Sequence, residues 1–364
     1  MKPDPRLRSC IDQLIEAKGT DLLITAGAPP FMRVDQNLTP VPGQPRLQPE
    51  DTADMVRSVL GPSVFDQLKV AREVDFPLNW EGRARLRGNA FHQRDTLAMA
   101  LRLLPFGIPN VSELRLPRAV TEMAGRPSGL FLVTGPTGSG KSTTLASLVA
   151  QINRTRQCHI LTVEDPIEYL HHHDHAVINQ REVGSDTESF ASGMRAALRE
   201  DPDVLMVGEI RDSESAEIAL MMAETGHLVL STLHTNDTAQ ALDRVVSMFP
   251  ANQREQVCQQ LGNSLAGVVF QRLLPKRGGG QVAAFEVLQP THAVRNLVRE
   301  GKTAHLRNAI AVGRAEGMQT LEDSLCELVE LGMVELEEAQ SRSLHPRDFE
   351  RLASARLVRS VGQR

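Results

Sequence analysis

The sequence is short of cysteine, of lysine and of long apolar runs, and each shortage excludes something. Its four cysteines, Cys10, Cys158, Cys258 and Cys326, are scattered and form no C-x-x-C pair. Neither a disulfide framework nor a cysteine-based zinc site is expected, and a reducing cytoplasm fits. No stretch approaches the ~20 apolar residues that cross a bilayer. Direct membrane insertion is therefore not expected, and any membrane association would run through a partner. Residues 1–18 carry Asp4, Asp12 and Glu16, unlike a signal peptide. The net charge of -5 gives no global attraction to nucleic acid, which is not expected as a partner. Of 40 basic residues only six are lysine; the arginine bias suits contacts with carboxylate or phosphate, and genomic composition explains it as well.

What is present describes an ordinary soluble protein, 41% hydrophobic and 23% charged, without internal repeats or low-complexity tracts. A length of 364 residues argues for two domains. Residues 1–117 read as a small α+β domain with proline-rich connections at 28–30 and 40–45, strands at 21–25 and 31–34, and a long hairpin over 83–104. The segment 107–117 reads as a linker. From residue 118 strands alternate with helices, which predicts an α/β domain over 118–364 whose parallel sheet is covered on both faces. Beyond about residue 290 the pattern is wholly helical, and 343–364 reads as a short helix with a frayed end.

The most informative stretch is Gly135, Pro136, Thr137, Gly138, Ser139, Gly140, Lys141, Ser142 and Thr143, which matches the phosphate-binding pattern G-x-x-x-x-G-K-[ST]. Glycines let successive backbone N–H groups converge on phosphates, Lys141 reaches the β/γ oxygens and the Ser142 hydroxyl can ligate Mg²⁺. A buried strand at 129–134 precedes the loop and a helix follows from near Lys141, adding its positive dipole end. ATP with Mg²⁺ is the expected ligand.

Hydrolysis needs acids at the same edge, and two sets qualify. One follows the strand 160–163: Glu164, Asp165 and Glu168 stand where carboxylates reach the γ-phosphate and its water. The other is the apolar strand ending at Gly208, Glu209, Ile210, Arg211 and Asp212, where Glu209 is the candidate for Mg²⁺ or its waters. His227 and His234 bracket a strand; a lone histidine there is more often a satisfied core residue, but a pair near adjacent strand ends suggests γ-phosphate sensing. His171, His172, His173 and His175 resemble a metal tract by composition only, in an expected loop. Arg83, Arg85 and Arg87 alternate along one strand face, with Arg94 and Arg102 on neighbouring segments. They either pair with Glu73, Asp75 or Glu81 or reach a neighbouring subunit's triphosphate as arginine fingers. The helix 293–300 is amphipathic, with Val294, Leu297 and Val298 on one face and Arg295 and Arg299 on another.

Taken together these stretches resemble the type IV pilus retraction ATPases, the PilT-like branch of the secretion ATPase superfamily, over residues 11–342. The resemblance rests on a Walker A loop at 135–143, an Asp box at 163–168, a Walker B segment ending at 208–212, a His box at 225–235, and a helix at 293–300 similar to the family's A-I-R-N-L-I-R-E motif. It implies a PAS-like N-terminal domain, a RecA-like ATPase domain with C-terminal helices, and a homo-hexamer with ATP between subunits. It further implies Glu168 as general base, Glu209 as Walker B acid, His227 and His234 as the His box, and Arg85, Arg87 and Arg102 as trans contacts. The ring would sit at the cytoplasmic face of the inner membrane, engaging the pilus platform protein and pilus machinery, with a paralogous retraction ATPase as a further partner. An accessory PilU-like role is the alternative. Pilus-assembly and secretion ATPases of the pushing type carry C-x-x-C ligands and longer N-terminal regions, absent here, and a DNA translocase needs a basic channel.

Overall fold

Helix-starting prolines, alternating apolar positions and short turns set the first third of the chain, as the computed structural model shows. It describes residues 3–34, 37–81, 83–104 and 107–361, and side-chain surroundings as far as 356. The chain divides into two units, 1–106 and 107–364.

The first unit begins with helix α1 (Pro5–Glu16), capped by Asp4, whose carboxylate accepts from the Arg6 N–H at 2.8 Å. Leu7, Cys10, Ile11 and Leu14 recur at helical spacing and are all buried. Strands β1 (Asp21–Ile24), β2 (Phe31–Val34) and β3 (Asn37–Pro40) follow, then helices α2 (Pro49–Val59) and α3 (Pro62–Ala71), then β4 (Glu73–Trp80), β5 (Ala84–Gln93) and β6 (Thr96–Leu103). The six strands form one antiparallel sheet in the order β3-β2-β1-β6-β5-β4. One face buries Phe76, Trp80, Leu86, Ala90, Met99 and Leu101 against the helices.

Of the candidate arginines of this unit, Arg85, Arg87 and Arg102 lie on the other face and Arg83 and Arg94 in turns. Arg83 precedes β5, in the turn, and donates to Asp12 at 2.5 Å, so the row of three on one strand reduces to Arg85 and Arg87. Arg87 lies 3.8 Å from Asp75, and Arg102 Nε donates to Asp21 at 2.8 Å. The exposed pairs contribute about 0–1 kcal/mol each. They hold these guanidiniums loosely.

The second unit contains α4 (Arg118–Ala124), β7 (Gly129–Thr134), α5 (Lys141–Thr155), β8 (His159–Glu164), β9 (Val177–Glu182), α6 (Phe190–Ala197), β10 (Val204–Val207), α7 (Ser213–Glu224), β11 (Leu228–Leu233), α8 (Thr238–Ser247), α9 (Arg254–Ser264), β12 (Leu265–Pro275) and β13 (Gln281–Leu288). Helices α10 (His292–Arg299), α11 (Leu306–Val312), α12 (Leu321–Glu330), α13 (Leu336–Arg342) and α14 (Pro346–Val361) complete it. The seven-stranded sheet runs β13-β12-β7-β11-β10-β8-β9, parallel except for β13 against β12. Every residue of β7, β10 and β11 is buried, as an apolar strand covered on both faces requires. Leu130, Leu132, Leu205 and Val207 face a core shared with α7, α8 and α9, whereas Phe131, Val133, Val204 and Met206 face one shared with α4 and α5. Val111 and Leu116, in the segment read as a linker, pack against the latter core. The last helix is no short element: α14 runs 16 residues, with Phe349 buried against α12 and the β12–β13 hairpin.

Candidate functional site

Because β7, β8, β10 and β11 are parallel, whatever follows each of them emerges at one edge of the sheet. The loop 135–140 follows β7, Glu164 ends β8, Glu209 follows β10 and His234 follows β11. Residues 137–140 of that loop, Glu164, Glu209 and His234 line one cleft of about 490 Å³, together with Ser142, Thr143 and Glu168. This is the edge at which open α/β sheets bind ligands.

The loop's glycines have different reasons to be glycine. Gly140 has φ 85°, and a Cβ there would lie 2.8 Å from the Gln271 Nε2, while a Cβ at Gly135 would lie 2.3 Å from the Gln271 carbonyl oxygen. Gly138 faces open space, with φ 75°. Helix α5 begins at Lys141, so its first N–H groups and dipole point into the cleft.

Lys141 is buried, and its Nζ donates to the carbonyls of Gly135 at 2.9 Å and Pro136 at 3.0 Å. Burial pushes its ammonium below the usual lysine range, while Glu209 and Glu168 pull it back up. His234 Nδ1 lies 3.4 Å from that Nζ, and His234 Nε2 lies 3.5 Å from a Glu209 oxygen. An Nε2–H tautomer lets the ring accept from the lysine and donate to the carboxylate at once. Glu209 also accepts from Arg211 Nε at 2.8 Å, which holds the guanidinium firmly charged, and Arg211 sits 6.0 Å from the Phe190 ring.

Glu164 is buried, and one of its oxygens accepts from the Thr162 hydroxyl at 2.7 Å and from Gln180 Nε2 at 3.0 Å. Glu168 is exposed in the cleft wall, and its carboxylate makes no hydrogen bond or ion pair with another described residue. The neighbouring Tyr169 hydroxyl lies 2.9 Å from the Thr143 hydroxyl, tying the Glu168 segment to α5.

His227 does not join the site. It precedes β11, at the strand end opposite the loop, since Leu228 pairs with Gly129 and Leu233 with Thr134. Its Nδ1 lies 3.0 Å from the Met222 carbonyl, a local contact closing α7. The two histidines bracket one strand, and a strand's length separates them, which removes γ-phosphate sensing by His227 within its own chain. The tract at 171–175 is a loop whose His173 Nδ1 accepts from the Ile178 N–H at 3.1 Å. Burial pushes the His171 imidazole down to about 4. Among the described residues no group of three or more His, Cys, Asp or Glu could hold a metal ion.

ATP and Mg²⁺ fit what is here. The Ser139 hydroxyl is buried in the loop with no hydrogen-bond partner among the described residues, and the Ser142 hydroxyl and Glu209 carboxylate are oxygen donors of the kind Mg²⁺ takes.

Residues 111–278 match the family model described as Type II/IV secretion system protein. Over 330 residues the chain is 42% identical to the type IV pilus retraction ATPase PilT of Pseudomonas aeruginosa, spanning 91% of this chain and 96% of that one. The chain belongs to the PilT family of pilus retraction ATPases. It is also 39% identical over 327 residues to the type IV pilus ATPase PilU of the same organism, covering 90% of this chain and 85% of that one. A crystal structure of the pilus retraction motor PilT with bound ADP superposes with a TM-score of 0.89 at 48% identity, over 94% of this chain and 98% of that one. Membership of an ATPase family and the edge cluster agree on nucleotide hydrolysis.

Several contributors escape a reading of the motifs alone. Arg211 was visible beside Glu209, but nothing in the sequence aims it back at that carboxylate. Thr134 and Thr235 join the ends of β7 and β11: the Thr235 N–H donates to Thr134 Oγ1 at 3.1 Å, and that hydroxyl donates to the Leu233 carbonyl, also at 3.1 Å. Glu286 on β13 fixes the far end of the His234 loop, accepting from the Thr238 N–H at 3.0 Å and its hydroxyl at 2.7 Å. Burial raises the Glu286 carboxyl above its usual range, the Thr238 bonds oppose this, and Asp237 and Glu322 add to it. A raised folded-state value means stability that is complete below the unfolded carboxyl range and falls as pH rises through the folded value. Glu286→Gln removes that fall and keeps an acceptor for Thr238. Its Tm should gain on the parent's as pH rises from the ordinary carboxyl range, as differential scanning fluorimetry would show; parallel curves would refute it.

Proposed function

We propose that this chain is an ATP-hydrolysing motor of type IV pilus retraction, working as a homo-hexameric ring at the cytoplasmic face of the inner membrane. The observation that carries the chemistry is the convergence of Lys141, His234 and Glu209 at one sheet edge, each within 3.5 Å of the next. Loop N–H groups and Lys141 bind the phosphates, and Ser142 and Glu209 would hold Mg²⁺, which would neutralise phosphate charge and polarise the phosphoryl oxygens. Glu168 takes the proton of the attacking water, and Glu164, fixed by Thr162 and Gln180, keeps a second negative charge beside it. His234, lying between Lys141 and Glu209, registers the γ-phosphate through the lysine.

Arg85, Arg87 and Arg102 supply positive charge to the triphosphate of the adjacent subunit. The exposed pairs that hold Arg87 and Arg102 contribute so little that a phosphate outcompetes them. Loss of the γ-phosphate charge then weakens the grip between neighbours, and the ring passes that movement to the platform protein and the pilus. Among the described residues no helix is long and apolar enough to cross a membrane; attachment through that partner is part of the proposal.

Deleting the gene and imaging the cells tests this reading. Excess static pili with loss of twitching motility are expected; cells without pili would assign the motor to assembly instead.

A further inference from the structure

Strand β12 is apolar along most of its length, yet Gln271 sits buried in it with 3% exposure. Its carboxamide is used at both ends by the phosphate loop. Nε2 donates to the Ser139 carbonyl at 2.6 Å, and Oε1 accepts from the Thr144 hydroxyl, also at 2.6 Å. Those partners lie before and after Lys141, so one planar group spans the junction between loop and helix. The two glycine positions a Cβ would crowd, Gly135 and Gly140, are crowded by this same residue, through its backbone oxygen and its amide nitrogen.

We propose that Gln271 is a positioning residue for nucleotide binding, setting the orientation of the phosphate loop; this rests on the nucleotide site proposed above. The reason is peptide geometry. In a trans peptide the C=O and the following N–H point in opposite directions. Holding the Ser139 carbonyl toward β12 turns the Gly140 N–H away from β12, and donation to that carbonyl polarises the peptide so that its N–H becomes a better donor. The bond from Thr144 fixes the first turn of α5 in the same act, and with it the start points of Lys141 and Ser142. A carboxamide offers donor and acceptor on one short planar group without having to take up a proton. Glutamate keeps the acceptor and loses the donor, whereas methionine keeps the volume and loses both.

The test is ADP affinity in the presence of Mg²⁺, by calorimetry on the full-length protein well below its melting temperature. Wild type that fails to bind ADP would overturn the nucleotide site itself, independently of Gln271. With wild type binding, Gln271→Glu should weaken ADP at pH 8 at least ~10-fold, because a carboxylate then faces the Ser139 carbonyl. A buried carboxylate beside an acceptor takes up a proton readily. The protonated group donates again, so the deficit relative to wild type should shrink several-fold at pH 5.5. Affinity equal to wild type at both pH values, or a deficit that pH leaves unchanged, would overturn the proposal. Should that variant fail to fold, Gln271→Met decides: weaker ADP binding with an unaltered circular dichroism spectrum supports the role, and wild-type affinity ends it.

Discussion

Lys141→Ala is expected to lower ATP turnover by at least ~100-fold, the usual consequence of removing a fixed donor from developing phosphoryl charge. The ammonium is the cationic side chain held at the centre of the loop, by two loop carbonyls and beside His234. No neighbour replaces it. Arg211 is engaged by Glu209, and removing Lys141 leaves His234 with a carboxylate on one side and nothing positive on the other. The fold should survive, since the lost bonds to loop carbonyls are two, of about 1.5–3 kcal/mol each, while α5 keeps its packing through Leu145, Leu148, Val149 and Ile152. Steady-state phosphate release together with circular dichroism checks both halves. Unchanged turnover would remove the loop from the chemistry altogether.

The parts of this site that the sequence revealed are those where neighbours in the chain are neighbours in space. Strand β7, the loop and α5 are contiguous, and the apolar run, the glycines and Lys141 each carry their own signal. The parallel sheet was legible for a related reason: a run such as 204–207, short, apolar throughout and bounded by turn-forming residues, suits a strand covered on both sides. His227 shows where such reading stops. Proximity in a motif of eleven residues says nothing about which strand end a residue occupies, and a six-residue strand separates the two histidines. Arg83 fails similarly, because a turn displaces it from the alternation it seemed to start. Gln271 and Glu286 were invisible for the opposite reason. Their partners lie far away in the chain, 127 and 132 residues for Gln271 and 48 for Glu286, and only the strand order brings β12 beside β7.

Glu168→Gln should separate hydrolysis from binding, with kcat falling ~10²–10⁴-fold and ADP affinity held within a few-fold. Of the four acids that line the cleft, the three glutamates differ in what else they do. Glu209 is bonded to Arg211 and faces His234, and Glu164 accepts from Thr162 and Gln180, so substituting either disturbs neighbours as well as charge. Glu168 makes no such bonds among the described residues, and its backbone is held independently by the Tyr169–Thr143 contact and by the Ile167 N–H donating to Glu182 at 3.0 Å. Glutamine there keeps shape and removes only the basic oxygen. A general base that is exposed and unbonded is also free to turn toward water when nucleotide arrives. Measured turnover and ADP binding on one preparation give the answer. A matching collapse of affinity would mean that Glu168 shapes the binding site, whereas intact turnover would transfer the base to Glu164 or Asp165, the other carboxylates of that strand end.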